Sequence, residues 1–334
     1  MNDEFYMQLA LDKAWQFQGL TYPNPAVGAV ITHKGEIIAI EAHQKAGTSH
    51  AEVLALLAAY KTLSKTTLDF DLKDASKAHE FLLTLPQNYF SECSIYVTLE
   101  PCSHEGKTPS CASLLQQLSL KRIVIGVFDP IEGHDKGART LENVTFGVLE
   151  QECNALLEPF QIWQKRAFVL FKLAQTTNGR IASDENDGYL SSQASLTHVH
   201  KLREACDMLL IGGNTVRVDK PTLDCRFTGG HAPDITIYTK EDNFDRQIPL
   251  FMVQDREVST TNELSFLEKP SFVLVEGGEG MLNALKEKID WLLIYQTPKL
   301  TTNTLTYNTT MNLQFLHQEK IDVDMMIWSK NFGH

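Results

Sequence analysis

Three side chains of types that commonly bind metal ions lie far apart in the sequence: His50, Cys102 and Cys111. His50 opens the phrase His50-Ala51-Glu52, and Cys102 directly follows a proline. A neutral imidazole and two thiolates supply three ligands to a tetrahedral Zn²⁺ and leave the fourth position to water, which is the arrangement of a catalytic zinc site. A chain that uses these residues together must fold so that position 50 meets positions 102 and 111.

Glu52 lies two residues after the first candidate ligand, at the predicted start of a helix. Bound zinc lowers the pKa of its water toward neutrality, and a carboxylate placed here is free to carry protons. The pattern H-x-E followed by P-C-x-x-C is typical of zinc deaminases, but here eight residues separate the cysteines. The spacing by itself therefore leaves the second thiolate ligand open. The alternative is a buried histidine with two core cysteines.

Hydrophobic periodicity predicts an α/β first half. Helices are predicted over residues 3–18, 51–63, 109–118 and 150–165. Strands are predicted over 29–31, 36–40, 94–99 and 122–127, and the first two form a hairpin. The strand, helix and strand over 94–127 indicate a right-handed parallel crossover. Residues 64–92 carry little strand signal, and we predict an irregular or partly helical insertion there.

The second half also alternates between strands and helices. Strands are predicted over 168–173, 208–211, 235–238, 249–253, 272–275 and 291–295, and helices over 195–206 and 281–288. A strand, a glycine turn and a helix follow one another around residues 272–288, a unit that directs backbone N–H groups at a phosphate. Since 334 residues suffice for two domains, we predict a division into domains 1–149 and 150–334.

The charge balance narrows the choice of partners. The chain has 30 Lys and Arg against 42 Asp and Glu, a formal net charge of −12, which argues against general nucleic-acid binding. A phosphorylated small molecule would need local Arg or Lys. No secretory signal or membrane-spanning run is visible. We expect a cytoplasmic protein, with ordinary thiols at Cys93, Cys153, Cys206 and Cys225.

Three phrases carry a resemblance to a known family: PNPAVGAV (residues 23–30), HQKAGTSHAE (43–52) and TLEPCSHEGKTPSC (98–111). They closely resemble the deaminase half of the bifunctional deaminase/reductase family of riboflavin biosynthesis, in which the longer cysteine spacing is usual. The resemblance implies a cytidine-deaminase-like three-layer α/β/α fold that binds one Zn²⁺ per chain through His50, Cys102 and Cys111.

The same resemblance implies a reaction, the hydrolytic loss of ammonia from 2,5-diamino-6-(5-phospho-ribosylamino)pyrimidin-4(3H)-one, with Glu52 as the catalytic acid and base. It places four residues at the substrate: Asn24, His43, His104 and Lys107. Asn24 offers both a donor and an acceptor to the pyrimidine edge.

The second half resembles the reductase half of this family in the segments KLAQTTNGRIA (172–182), GGNTVRVDKPTLDCR (212–226) and VLVEGGEG (273–280). The resemblance implies a dihydrofolate-reductase-like α/β fold and NADPH-dependent reduction of 5-amino-6-(5-phosphoribosylamino)uracil to the ribitylamino product. The implied substrate contacts are Lys172, Asp187, Arg203, Leu223, Arg226 and Glu276. The implied cofactor contacts are Ala174, Tyr189, Thr215, Asp219, Gly278, Glu279 and Gly280.

The residues leave three alternatives open. Tyr189 stands where the family commonly has Trp, and Asp187 where a small hydroxyl residue is usual, so one alternative is a deaminase with a degenerate reductase domain. A second is a nucleic-acid base deaminase, against which stand the net acidity and the cysteine spacing. A third is a zinc-stabilised scaffold closed by a fourth protein ligand, for which His104 is the candidate.

The expected partners are phosphorylated pyrimidines, without nucleic acid or membrane. We also expect a homo-oligomer, either a dimer or a tetramer.

Overall fold

The computed structural model describes residues 2–103, 109–131, 141–183 and 189–332. The chain divides into two compact units, Met1–Gln161 and Ile162–His334, so the division lies later than the one we predicted after residue 149. Most of the helix Glu150–Trp163 stays with the first unit because Cys153 packs against Gly126, where an added Cβ would lie 2.3 Å from the Cys153 sulfur. Gln18 also donates a hydrogen bond of 2.7 Å to the Leu156 carbonyl.

The helices of the described residues are α1 (Asp3–Trp15), α2 (Ala51–Ser64), α3 (Ala75–Leu83), α4 (Cys111–Leu118), α5 (Glu150–Trp163), α6 (Gln193–Ala205), α7 (Gly213–Asp219), α8 (Pro249–Met252) and α9 (Glu279–Leu285). The strands are β1 (Gly28–His33), β2 (Glu36–Ala42), β3 (Cys93–Leu99), β4 (Arg122–Val127), β5 (Val144–Phe146), β6 (Ala167–Thr176), β7 (Met208–Gly212), β8 (Asp234–Tyr238), β9 (Val258–Thr261), β10 (Ser271–Glu276), β11 (Trp291–Thr297), β12 (Leu313–Ile321) and β13 (Asp324–Asn331).

The sheet of the first unit has the order β2-β1-β3-β4-β5. β1 is antiparallel to β2 and β3, whereas β3, β4 and β5 are parallel. Gly28 at the start of β1 pairs with Ala42 at the end of β2, and the next residue, Ala29, pairs with Val97 near the end of β3. This register brings the segments before β1, after β2 and after β3 to one edge of the sheet.

The sheet of the second unit has the order β12-β13-β11-β6-β10-β7-β8-β9. The six strands from β11 to β9 are parallel, and β13 is antiparallel to both β11 and β12. β10 lies between β6 and β7, so Glu276 at its end is in register with Lys172 and with Ile211. The carboxyl ends of parallel strands form the edge at which ligands bind in open α/β sheets.

One predicted element is wrong. Residues 249–253 were expected to be a strand, but Pro249 begins the short helix α8, because proline suits the first helical position, where its missing N–H is not needed. The other predicted helices and strands are present with shifted ends, and the pairing of β3 with β4 is parallel as expected. Strands β5, β9, β12 and β13 were not predicted. Within the described ranges, the helices are all too short or too polar to cross a membrane.

Candidate active sites

The first unit brings the three candidate metal ligands together. The Nδ1 atom of His50 lies 3.4 Å from the sulfur of Cys111 and 3.7 Å from the sulfur of Cys102. Zinc–sulfur and zinc–nitrogen bonds of ordinary length give a nitrogen–sulfur separation of about 3.5 Å in a tetrahedron. All three ligand atoms lie within 4.8 Å of one another, so they are close enough together to bind a single Zn²⁺.

Helix N-termini position two of these ligands. His50 is the N-cap residue of α2, and Cys111 is the first residue of α4. The Ser110 hydroxyl accepts a hydrogen bond from the amide of Ser113 at 3.2 Å and donates to the Cys102 carbonyl at 3.0 Å. The Cys111 amide donates to the Cys102 sulfur at 3.3 Å. Amides at a helix N-terminus stabilise negative charge, so α4 favours the thiolate form of Cys102.

The electrostatics of the cluster agree with thiolate ligation. A hydrogen bond from the Cys111 thiol, assisted by His50, lowers the pKa of Cys102 to about 4. The same contact and burial raise the pKa of Cys111 well above its ordinary value. Because zinc binds cysteine as the thiolate, metal binding would release the Cys111 proton. Glu52 is almost fully buried, and burial raises its pKa. A carboxyl group with a raised pKa can both accept and release a proton near neutral pH.

Asn24 and His43 lie at the same edge of the sheet as the candidate metal ligands, and their side chains are hydrogen-bonded to each other. The Asn24 amide nitrogen is 3.1 Å from Nε2 of His43, whose Nδ1 is 3.2 Å from the Ser49 carbonyl. Burial, assisted by the nearby His50, lowers the pKa of His43 to about 4, so its neutral ring donates to Ser49 and accepts from Asn24. The contacts of His43 fix the orientation of Asn24.

Three predicted site residues lie outside the described part of the chain: His104, Lys107 and Asp187. Their roles stay predictions.

The second unit contains a buried group of charges. The Arg203 guanidinium binds both carboxylate oxygens of Glu276, with Nε at 2.6 Å and Nη2 at 3.0 Å, and the Lys172 amine lies 3.4 Å from Oε2. Burial alone would raise the pKa of Glu276, but the charges of Arg203 and Lys172 outweigh burial and lower that pKa to about 2. The carboxylate is thus held ionised at the carboxyl end of β10.

The loop after α7 completes this group. Arg203 also donates to the Asp224 carbonyl at 3.1 Å, and Arg226 pairs with the Asp224 carboxylate at 2.9 Å while its side chain stays half-exposed. Sequence reasoning missed two residues here. The first is Arg256, which donates to the carbonyls of Thr222 and Leu223, both at 2.8 Å.

The second missed residue is His200, whose Nε2 lies 3.4 Å from Arg203. Burial and the Arg203 charge lower the pKa of His200 to about 4. Neither Arg256 nor His200 belongs to a recognisable motif, and only the folded chain brings them to the loop.

Two strand-to-helix turns with glycines stand side by side, after β7 and after β10. An added Cβ at Gly212 would lie 2.7 Å from the Met281 side chain, and one at Gly277 would lie 2.8 Å from it, so both turns pack against α9. Gly278 faces open space, since a Cβ added there would meet no atom of the described residues within 4 Å. The backbone at Gly278 is therefore open to an extended cofactor, whereas Gly212 and Gly277 are covered by Met281.

Two of the other candidate cofactor contacts lie close to these turns. Thr215 lies in α7 with its hydroxyl 4.0 Å from where a Gly212 Cβ would be. Glu279 instead accepts hydrogen bonds from the amide of Asn308 at 2.9 Å and the hydroxyl of Thr309 at 2.8 Å. It therefore holds the loop between β11 and β12 in place.

The remaining four candidate cofactor contacts differ in their surroundings. Ala174 is partly buried in β6, Tyr189 is exposed, Asp219 ends α7 and Gly280 lies in the first turn of α9.

Comparison with known proteins decides the family. Residues 1–127 match the family model of the cytidine and deoxycytidylate deaminase zinc-binding region, and residues 167–327 match that of the RibD C-terminal domain. The chain is 32% identical over 296 residues to the riboflavin biosynthesis protein RibD of Aquifex aeolicus, covering 86% of this chain and 72% of the relative. The chain belongs to the RibD family. A Synechocystis RibD is 31% identical over 80% of this chain and 70% of its own.

Solved structures of RibD proteins resemble this chain over both units. A structure from Thermotoga maritima, described as a diaminohydroxyphosphoribosylaminopyrimidine deaminase/5-amino-6-(5-phosphoribosylamino)uracil reductase, aligns over 98% of both chains with 27% identity and a TM-score of 0.65. Acinetobacter baumannii RibD shares the fold at 22% identity, with a TM-score of 0.65 over 98% of both chains. This RibD-family protein is an enzyme of riboflavin biosynthesis with a zinc-binding deaminase domain and an NADPH-type reductase domain.

Proposed function

We propose that the first unit removes ammonia from 2,5-diamino-6-(5-phospho-ribosylamino)pyrimidin-4(3H)-one by hydrolysis. The observation that carries the proposal is the convergence of His50, Cys102 and Cys111 beside the buried carboxyl of Glu52. The Thermotoga maritima relative, which aligns over both domains, is described as a deaminase of this kind. Bound Zn²⁺ would supply a water activated at neutral pH.

Protein side chains then carry out the remaining steps of the deamination. Glu52 accepts a proton from the attacking water and gives it to the ring nitrogen. It then takes the second proton from the new C–OH group and gives it to the leaving amine, so that ammonia departs and a carbonyl remains. Asn24, oriented by His43, binds the pyrimidine edge. His104 and Lys107 complete the contacts to the ring and the ribose phosphate in this proposal.

We propose that the second unit reduces the ribosyl group of 5-amino-6-(5-phosphoribosylamino)uracil to ribityl. NADPH would supply the hydride. Glu276, held ionised by Arg203 and Lys172, accepts hydrogen bonds from the pyrimidine, and the half-exposed Arg226 binds the phosphate.

The other assigned residues complete this second site. Leu223 and Asp187 would line the substrate, and the residues that would hold the cofactor are Ala174, Tyr189, Thr215, Asp219, Gly278 and Gly280. Because Glu279 fastens the loop at 308–309, its contribution to the cofactor site is to shape the turn.

Substitution of Glu52 tests the deaminase proposal. Glu52→Gln should keep zinc and lower ammonia release from the diaminopyrimidine by a factor of about 10² to 10⁴. The matched control is Glu36→Gln, at an exposed position in the hairpin, which should leave the rate unchanged. Ammonia release by Glu52→Gln at the wild-type rate would show that the acid/base assignment is wrong.

Substitution of Cys111 tests the metal site separately. Cys111→Ser should reduce the zinc content of the purified protein, as measured by elemental analysis, because a serine hydroxyl is a poor zinc ligand at neutral pH. Cys153→Ser, at a buried thiol in α5, serves as the control and should keep one zinc per chain. Full zinc retention by Cys111→Ser would exclude this residue as a ligand.

The proposal also includes a cytoplasmic homo-oligomer, a dimer or a tetramer. All six cysteines are free thiols, as expected in a reducing compartment. Sedimentation equilibrium of the purified chain tests the oligomeric state, and a monomer at micromolar concentration would contradict it.

A further inference from the structure

The segment 64–92 lies outside every motif that carries the chemistry, yet it is firmly packed. Its aromatic residues contact Tyr60 of α2: the ring centroid of Tyr60 lies 4.9 Å from that of Phe81 and 5.5 Å from that of Tyr89. Phe70 lies 5.6 Å from Phe81, and Phe90 is fully buried. An apolar cluster of this kind makes the segment a fixed part of the first unit.

The first contact between this segment and the zinc site runs through Ser49. This residue is fully buried and directly precedes the ligand His50. Its amide donates to the Lys73 carbonyl at 3.1 Å, and its hydroxyl donates to the Leu72 carbonyl at 2.7 Å. On the other side, the Ser49 carbonyl faces Nδ1 of His43 at 3.2 Å. One residue therefore connects the segment both to a metal ligand and to the histidine that orients Asn24.

The second contact runs through α3, which packs against α2 and α4. His79 of α3 is buried, and its Nδ1 lies 3.1 Å from the Ala75 carbonyl in the preceding turn. Its Nε2 is buried and makes no hydrogen bond within the described residues. Burial lowers the pKa of His79, and the backbones of Ala75 and Ser110 act against that shift. Ser110 is the residue that caps α4 and precedes the ligand Cys111.

We infer that the segment 64–92 positions the zinc ligands in two ways: it holds Ser49, which precedes His50, by two hydrogen bonds, and it packs α3 against α4, which begins at Cys111. Ser49 and His79 are positioning residues in this inference, because neither is itself a ligand. The inference rests on the proposed zinc-dependent deamination. It assigns to this segment a role in metal retention and in orienting the substrate-binding Asn24.

The expected size of the effect on zinc binding follows from other metal sites, in which groups outside the ligand set orient the ligands. Loss of a group that orients a ligand commonly costs about 10- to 100-fold in metal affinity. Ser49 acts one residue away from its ligand and loses only one of its two hydrogen bonds to the segment on substitution by alanine. We therefore expect zinc to leave Ser49→Ala about three to ten times faster than wild type.

The experiment uses the zinc-loaded full-length chain and a chromogenic chelator that reports zinc as it is released. Ser49→Ala should release zinc faster, with a lower kcat for deamination. The matched control is Thr48→Ala, because the neighbouring Thr48 hydroxyl bonds only to the Lys45 carbonyl of its own turn at 2.7 Å among the described residues. Thr48→Ala should match wild type in zinc release, kcat and KM. All rates are compared at a temperature at which every variant is folded by circular dichroism.

A second pair of variants examines the contact through α3. His79→Leu should release zinc faster, and Glu80→Ala, at the exposed position beside it, should not. If His79→Leu and Ser49→Ala both release zinc at the rate of their controls, the inference is overturned. In that event the loss of zinc by Cys111→Ser would still uphold the metal site itself. Should Ser49→Ala not fold, the comparison of His79→Leu with Glu80→Ala decides alone.

Discussion

Replacing Glu276 by glutamine should destabilise the second unit by about 3 kcal/mol at neutral pH. Glu276 is buried between Arg203 and Lys172, and these charges lower its pKa from the ordinary 4.5 to about 2. One pKa unit corresponds to about 1.4 kcal/mol, so the shift is worth roughly 3 kcal/mol of folding stability. That value lies at the lower end of the about 3 to 5 kcal/mol expected when one member of a buried ion pair is removed.

The pH dependence of this effect has a definite sign. Because the pKa of Glu276 is lower in the folded chain, its stabilisation is complete above pH 4.5 and is lost as the pH falls toward 2. Thermal unfolding at pH 7 should show a melting temperature about 6 to 12 °C lower for Glu276→Gln than for wild type, and the gap should narrow below pH 5.

The control for this prediction is Glu241→Gln, since Glu241 is exposed and its contact with Arg217 is 3.6 Å long. Its melting temperature should be unchanged. If Glu276→Gln is as stable as wild type at pH 7, or if the gap persists at low pH, the electrostatic reasoning is refuted.

Two further predictions concern a glycine turn and a helix cap. Gly277→Ala should lower the stability of the second unit by about 1 to 3 kcal/mol in thermal unfolding, since its Cβ would lie 2.8 Å from Met281. Gly278→Ala, which faces open space, should keep the melting temperature and weaken NADPH binding in a fluorescence titration. Ser110→Ala should cost about 1 kcal/mol of stability in thermal unfolding. It should also speed zinc release, because its hydroxyl both caps α4 and binds the Cys102 carbonyl. Wild-type behaviour of Gly277→Ala or Ser110→Ala would contradict the respective packing or capping argument.

Two of the candidate zinc ligands, His50 and Cys102, could be recognised because each lies in a local phrase with a chemical meaning, whereas the assignment of Cys111 depended on the family resemblance. His50 and Glu52 open a helix, and Cys102 follows a proline at the end of a strand. The hairpin of β1 and β2 was also predicted, whereas the antiparallel pairing of β1 with β3 was not. The boundary between the units was harder to predict from the sequence, because residues of α5 pack on the first unit through contacts such as that of Cys153 with Gly126.

Other features could not be read from the sequence. β12 is an edge strand with few buried side chains, so it has no clear alternation of apolar and polar residues. The apolar residues after Pro249 fit a strand or a short helix equally well until their neighbours are known. The family resemblance assigned Arg203 and Glu276 to the substrate separately, whereas the fold pairs them. His79 carries no sequence signal, because its significance depends on which helix it meets.

The central claim is that one chain carries out both a deamination and a reduction. The most direct test follows ammonia release and NADPH oxidation together after the diaminopyrimidine substrate is added to the purified zinc-loaded protein. We predict that ammonia appears first and that one NADPH is then oxidised per ammonia released, with both signals lost in Glu52→Gln. Ammonia release without any NADPH oxidation, even when the deaminated intermediate is supplied directly, would contradict the claim and leave only a deaminase with an inactive second domain.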